Sequence, residues 1–135
     1  MNNVPQTVAP SPRPGLLTLT HVIYGLHSLS VLIGVTTAAT VVGVFVFGWP
    51  SILAVILNYV KRSEVRGTWL DSHFRWQIRT FWFALLWYAL AGLLILSLVG
   101  ILLGWAVLAA AGIWVIYRVI KGWLALNERR TIEFK

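Results

Sequence analysis

The chain has 135 residues, of which 59% are hydrophobic and only 11% are charged, and its mean hydropathy is +0.80. Ordinary soluble domains carry about 25% charged residues because their surfaces face water, so this composition excludes that class of protein. The absence of cysteine excludes disulfides, thiolate metal sites and thiol catalysis. The formal net charge of +7 could suit nucleic acid, but in so apolar a chain we expect the basic residues at a membrane surface and no nucleic-acid partner.

Two long stretches, 14–60 and 80–117, contain no charged residue. About 20 helical residues cross a bilayer core about 30 Å thick, so each stretch can hold two helices. Backbone polar groups in lipid must be hydrogen-bonded within the segment, which favours helices. The sequence therefore predicts an all-α integral membrane protein. We expect a four-helix transmembrane bundle of two hairpins over 16–126, with three spans as the alternative.

The chain begins with a proline-rich segment. Residues 1–15 hold four of the five prolines and lack the apolar run of a signal peptide. Such a segment has little apolar surface to bury, so we expect a disordered cytoplasmic tail.

The first apolar stretch needs a turn. The segment FGWP at 47–50 is favoured, because Gly48 can end a helix and Pro50 suits the first position of the next helix. This turn predicts helices over about 17–46 and 50–61. The alternative turn is GVTTAAT at 34–40, which makes two helices of more equal length.

The second apolar stretch predicts helices over about 70–98 and 103–126, followed by a short cytoplasmic tail at 127–135. Gly100 and Gly104 match the GxxxG pattern of helix dimers. They fall where the second hairpin must reverse, so we favour a turn there.

The basic residues indicate an orientation. If both termini lie on one side, that side holds all eleven Lys and Arg residues, and the turns between paired helices hold none. Loops rich in Lys and Arg stay in the cytoplasm. We therefore expect a bacterial cytoplasmic (inner) membrane protein whose N- and C-termini are cytoplasmic.

The densest group of polar side chains lies in DSHFRWQIRTFWF, 71–83. On a helix, His73 and Gln77 share a face, whereas Arg75, Arg79 and Trp82 share another. One interpretation is an interfacial collar, in which arginines reach toward phosphates and tryptophans lie at headgroup depth. The other is an inward face that hydrogen-bonds to the first helix or to an anionic lipid headgroup. The candidates for lipid-headgroup or helix contacts are His73, Arg75, Trp76, Gln77, Arg79 and Trp82.

Polar residues of the first two helices complete the candidate contacts. His21 and His27 are six residues apart and point in different directions, so they cannot chelate one metal from a regular helix. We expect no metal or cofactor, and a hydrogen bond from each histidine to a neighbouring helix. Asn58 either bonds to another helix or is solvated at the membrane boundary, and both interpretations stay open.

The chain offers little for catalysis. None of its four acidic residues lies inside a predicted span, and it has no phosphate loop or nucleophile elbow. We predict a non-enzymatic scaffold or partner subunit of a membrane complex, in contact with anionic lipids and able to form a homo-oligomer. One alternative is a translocation pore, whose polar lane would connect His27, Thr36, Thr37, Thr40 and Asn58. The other is an anionic-lipid-binding protein.

The stretch AVILNYVKRSEVRGTWLDSHFRWQIRTFW, 54–82, resembles a family of small bacterial membrane proteins of unknown function, distantly grouped with the Tic-twenty subunit of the chloroplast translocon. A histidine in the first helix, the His73-x-x-x-Gln77 helix start and the ending TIEFK are similar family traits. The resemblance covers about 17–135, and the chain departs from the pattern by extra residues around 36–47. It implies no established reaction or ligand, and the translocon kinship implies a pore or scaffold role for polypeptides.

Overall fold

The computed structural model describes residues 10–37, 41–98 and 100–133. It contains four helices, α1 (Pro14–Thr37), α2 (Val41–Val65), α3 (Leu70–Leu96) and α4 (Ile101–Asn127). The closest partners are α1 with α2 and α3 with α4, and the two pairs meet through α2 on α3 and α1 on α4. The protein is therefore all-α, with two helix pairs packed side by side. The predicted tail at 1–15 lies largely outside the described residues.

Three of the described helical segments are long and apolar enough to cross a bilayer. They are Pro14–Gly34, Leu70–Leu96 and Ile101–Asn127. Large apolar side chains cover the outside of the bundle, among them Leu86, Leu93, Leu96, Leu102 and Ile113. An outer surface this apolar suits lipid rather than water. This is the architecture of an all-α membrane protein.

The favoured position of the first turn was wrong. FGWP lies inside α2, and the helices separate between Thr37 and Val41, at the alternative site. Proline inside a helix interrupts the backbone hydrogen bonds, because its ring clashes with the preceding turn and it has no N–H. Here α1 supplies a partner for the interrupted backbone of α2, because the N–H of Ser51 donates a hydrogen bond to Oγ of Ser30 at 3.0 Å. A neighbouring helix that supplies such a bond lets Pro50 lie inside α2.

The second turn comes about two residues earlier than predicted, because α3 ends at Leu96 and α4 begins at Ile101. It extends only to Gly100, and Gly104 lies inside α4. A Cβ atom at residue 104 would lie 2.5 Å from Cγ1 of Ile95 and 2.9 Å from the carbonyl oxygen of Ala91. Gly104 therefore allows α3 and α4 to approach each other closely, as small residues do between membrane helices.

The chain after α4 folds back onto α3. Helix α4 ends in a Schellman motif, with hydrogen bonds from Arg129 N–H to the Leu126 carbonyl and from Arg130 N–H to the Ala125 carbonyl. The backbone N–H of Ile132 then donates to Oγ of Ser72 at 3.1 Å, and the Ile132 side chain is buried. The expected short tail is thus, through residue 133, a segment packed against the start of α3.

Candidate functional site

His73 lies at the centre of a hydrogen-bonded network between helices. Its side chain is fully buried, Nδ1 lies 3.0 Å from the Tyr24 hydroxyl, and Nε2 lies 2.8 Å from the Arg130 carbonyl oxygen. Because a carbonyl can only accept, Nε2 carries the proton, and in the neutral ring Nδ1 accepts from the tyrosine hydroxyl. These two bonds connect α1, α3 and the C-terminal segment.

Tyr24 packs directly on the backbone of α4. Its ring stacks on Trp123 with the centroids 6.3 Å apart, and it lies over Gly122. A Cβ atom at residue 122 would lie 2.7 Å from Cε1 of Tyr24. Trp123 in turn donates its indole N–H to Nδ1 of His21 at 3.1 Å. His21 therefore bonds across to α4, and a glycine creates the space that the tyrosine fills.

Arg118 is a cation in the middle of an apolar helix. Its Nε donates to Oγ1 of Thr80 at 2.6 Å, and its guanidinium carbon lies 3.6 Å from the centre of the Trp76 ring. The indole N–H of Trp76 donates to the Arg118 carbonyl at 3.0 Å. A cation over an aromatic face is stabilised electrostatically, so Trp76 holds both the charge and the backbone of Arg118.

Several buried polar atoms have no hydrogen-bond partner within the described part of the chain. They are Nε2 of His27, Nη2 of Arg118 and both side-chain amide atoms of Asn58 and of Gln77. Asn58 is fully buried in α2, so the solvated interpretation is wrong for this residue. His27 uses its other nitrogen, Nδ1, which lies 3.0 Å from Oγ of Ser51 beside Pro50. Unsatisfied groups of this kind are costly in a membrane.

A groove of about 590 Å³ opens on the outside of the bundle between α2 and α3. We call it the arginine groove. It is lined by three arginines and four apolar side chains, Arg62, Arg75, Arg79, Ile78, Trp82, Phe83 and Leu86. The indole N–H of Trp82 donates to the Tyr59 hydroxyl at 2.9 Å, which joins the two helices beside the groove. Such a lining can bind an amphiphile whose polar head carries negative charge.

Two carboxylates close in sequence to the residues of the arginine groove form ion pairs in the described structure. Asp71 lies 3.6 Å from Arg75 in an exposed pair. In the last turns of α2, Lys61 donates to Glu64 at 2.7 Å, and this hydrogen bond holds the pKa of Glu64 below its usual range. Glu64 is thus paired with Lys61, which is not among the residues that line the groove.

The structure separates the candidate residues into two groups. His73, Trp76 and Gln77 point into the bundle, whereas Arg75, Arg79 and Trp82 line the arginine groove or lie exposed beside it. The polar lane proposed for a pore can be followed only at His27 and Asn58, because the side chains of the three threonines lie outside the described part. The pore stays a prediction.

Four residues that matter here escaped the sequence analysis: Tyr24, Arg62, Arg118 and Gly122. Arg118 left a signal, because it is the first charge after the uncharged stretch 80–117 and lies inside the predicted helix 103–126, and a charge within a membrane helix indicates a functional or paired position. Gly122 left none, since its importance depends on which side chain packs on it.

No family model matches the chain, and no curated protein or solved structure is significantly similar to it. The resemblance to the family grouped with the Tic-twenty subunit therefore stays a prediction.

Proposed function

We propose that this protein binds anionic phospholipid headgroups in the arginine groove, as an integral protein of the bacterial cytoplasmic membrane. The observation that carries the proposal is the lining of the groove, which combines three guanidinium groups with aromatic and aliphatic side chains. Planar guanidinium groups bind phosphate through paired hydrogen bonds. The apolar part of the lining suits the glycerol and upper acyl region of the same lipid.

The surroundings of the groove support a lipid over a free anion. Trp82 is 53% exposed beside the arginines, and tryptophan favours the interface between headgroups and acyl chains. The volume of about 590 Å³ is typical of pockets for compact ligands, so the groove takes a headgroup and leaves the acyl tails in the bilayer.

The proposal includes an orientation. The end of α2, the start of α3 and the end of α4 carry most of the Lys and Arg residues. We place this end in the cytoplasmic leaflet, whose anionic lipids attract basic residues near the surface. Single cysteines at positions 39, 63, 103 and 131 of this cysteine-free chain test the placement. With an impermeant reagent on intact cells, only positions 39 and 103 should react, and labelling at 63 or 131 would contradict it.

The lipid proposal is tested by native mass spectrometry of the purified protein with phosphatidylglycerol or phosphatidylcholine. We expect the wild-type protein to prefer phosphatidylglycerol. Replacing Arg62, Arg75 and Arg79 with glutamine should weaken that binding by up to about 100-fold, since each basic residue contributes about 1 kcal/mol.

The matched control also removes three positive charges, but outside the arginine groove, through glutamine at Arg13, Arg66 and Lys135. It should keep the preference for phosphatidylglycerol. Equal losses in the two triple variants would show that binding follows net charge alone, and the groove would then have no special role.

A partner subunit is the second candidate function, and one feature favours it. Ala109 and Ala110 are exposed on α4, and beyond its chain neighbours and the adjacent backbone of α4 a Cβ placed on Gly112 would meet no atom of the described residues within 4 Å. Small residues on an outer face allow another helix to approach closely. If this face packs against a helix, Gly112→Leu should abolish a cross-link between copies or to a co-purifying membrane protein, and an unchanged cross-link would reject the interface.

A further inference from the structure

A second, much smaller cavity lies inside the bundle, apart from the arginine groove. Its volume is about 10 Å³, and the residues around it include Tyr24, His27, Gln77, Thr80 and Arg118, from α1, α3 and α4. We call it the polar cavity. About 10–15 Å³ is the space that one buried water molecule needs. The polar cavity therefore has room for a single water-sized group.

Three residues that line the polar cavity carry buried polar atoms without a partner among the described residues. These atoms are Nε2 of His27, both amide atoms of Gln77 and Nη2 of Arg118. Gln77 is 2% exposed, and its amide has no other hydrogen bond in the described structure. A buried group that binds no partner costs free energy, so three such groups around one small cavity indicate a shared ligand.

The chemistry of these groups defines the ligand. Arg118 Nη2 can only donate, Gln77 can donate and accept, and His27 Nε2 does either one according to its tautomer. The three carboxylates that form ion pairs in the described structure bind Lys61, Arg75 and Arg130 and not Arg118. The ligand must therefore accept a hydrogen bond from a cation that has no carboxylate partner there.

We propose that the polar cavity binds one water-sized hydrogen-bond acceptor, either a water molecule or a halide ion, held by His27, Gln77 and Arg118. The bound group would join His27 of α1, Gln77 of α3 and Arg118 of α4, in addition to the direct hydrogen bond from Arg118 to Thr80. Water matches the volume of the cavity, and it can accept hydrogen bonds from the N–H donors and donate one to an acceptor. A halide ion matches the excess of N–H donors and compensates the charge of Arg118.

A high-resolution structure of the full chain in sodium bromide tests the proposal. A peak within hydrogen-bond distance of Arg118 Nη2 and Gln77 supports it, and anomalous scattering at the bromine edge distinguishes bromide from water. An unoccupied cavity would overturn it. So would direct pairing of Gln77 Oε1 with Arg118 Nη2, since the side chains would then satisfy each other.

Thermal unfolding separates the two ligands in solution. If a halide binds, the unfolding temperature should be higher in sodium chloride than in sodium gluconate at equal ionic strength. Gln77→Glu places a carboxylate in the cavity and should remove that difference, whereas Arg66→Gln, in the exposed turn before the same helix, should preserve it. If water binds, the two salts give the same temperature, and Gln77→Leu still lowers it; a Gln77→Leu variant as stable as wild type would contradict either ligand.

Discussion

The two ends of the bundle are held together by different interactions. At the end where α2 leads into α3, which we call the basic end, side-chain hydrogen bonds cross between helices, as from Tyr24 to His73 and from Arg118 to Thr80. At the opposite end, which we call the apolar end, Gly104 of α4 packs against Ile95 of α3, and the hydrogen bonds of Ser97 stay within its own turn.

The two kinds of contact place different demands on the structure. Interhelical hydrogen bonds in membranes contribute little free energy each, about 0.6 kcal/mol on average, but they require defined atoms at defined distances. Close packing requires only that small residues remain small. The basic end therefore fixes how the helices are rotated, and the apolar end fixes how closely they approach. Substitutions that add a single methyl group at each end can separate these two roles.

The largest effect is expected from Gly122→Ala at the basic end. The new Cβ would lie 2.7 Å from Cε1 of the buried Tyr24 ring, so the ring must move and its bond to His73 must lengthen or break. Overpacking costs about 1–3 kcal/mol, and a lost buried hydrogen bond adds about 1 kcal/mol. We expect the free energy of unfolding in mixed micelles, followed by tryptophan fluorescence, to fall by about 2–4 kcal/mol.

Gly92→Ala is the matched control for this variant. Gly92 also lies within a helix, and beyond its chain neighbours and the adjacent backbone of its own helix a Cβ atom at residue 92 would meet no atom of the described residues within 4 Å. Alanine there should be neutral or stabilise by up to about 1 kcal/mol through helix propensity. A Gly122→Ala protein as stable as Gly92→Ala would show that Tyr24 is not confined by α4, and the basic end would lose its role in helix rotation.

A smaller loss is expected from Gly104→Ala at the apolar end. The added Cβ meets Cγ1 of Ile95 at 2.5 Å and the Ala91 carbonyl at 2.9 Å. The Ile95 side chain can rotate but the carbonyl cannot, so α3 and α4 must separate slightly, at a cost of about 1–2 kcal/mol. The same unfolding experiment measures it. A loss larger than that of Gly122→Ala would reverse the comparison between the two ends.

Much of the helical framework could be predicted from the sequence. The uncharged stretches predicted four helices, and those of α3 and α4 lie close to their observed bounds. The first turn could not be predicted, because a proline after Gly48 resembles a helix start when read alone. What allows Pro50 inside α2 is the Ser30 hydroxyl, which accepts the N–H of Ser51 from another helix. That bond is a property of the packed pair and not of either segment.

The candidate site was also only partly predictable from the sequence. The helical spacing of His73 and Gln77 correctly indicated a shared face, and the structure places that face inside the bundle. The partner of His73 could not be predicted, because Tyr24 lies 49 positions away from it along the chain. Contacts at such separations depend on how the helices are rotated, which a periodic apolar pattern leaves open.

The smallest effect is expected at two helix ends where, among the described residues, a residue other than glycine adopts a positive φ. Arg129 at the basic end has φ 52° and Leu98 at the apolar end has φ 59°. The left-handed conformation costs such residues about 1–2 kcal/mol, whereas glycine loses about 0.5–1 kcal/mol through its greater freedom when unfolded. Arg129→Gly and Leu98→Gly should therefore each stabilise the protein by about 0.5–1 kcal/mol.

Arg129→Ala is the control, because it removes the arginine side chain and keeps the unfavourable φ, and we expect no gain from it. If Arg129→Gly stabilises less than Leu98→Gly in the same unfolding experiment, the difference measures what the arginine side chain itself contributes. If Arg129→Gly destabilises, the C-terminal segment depends on that side chain more than on the backbone bonds of Arg130 and Ile132 to α4 and α3. The basic end would then be held by surface charge, and its hydrogen-bonded network would be secondary.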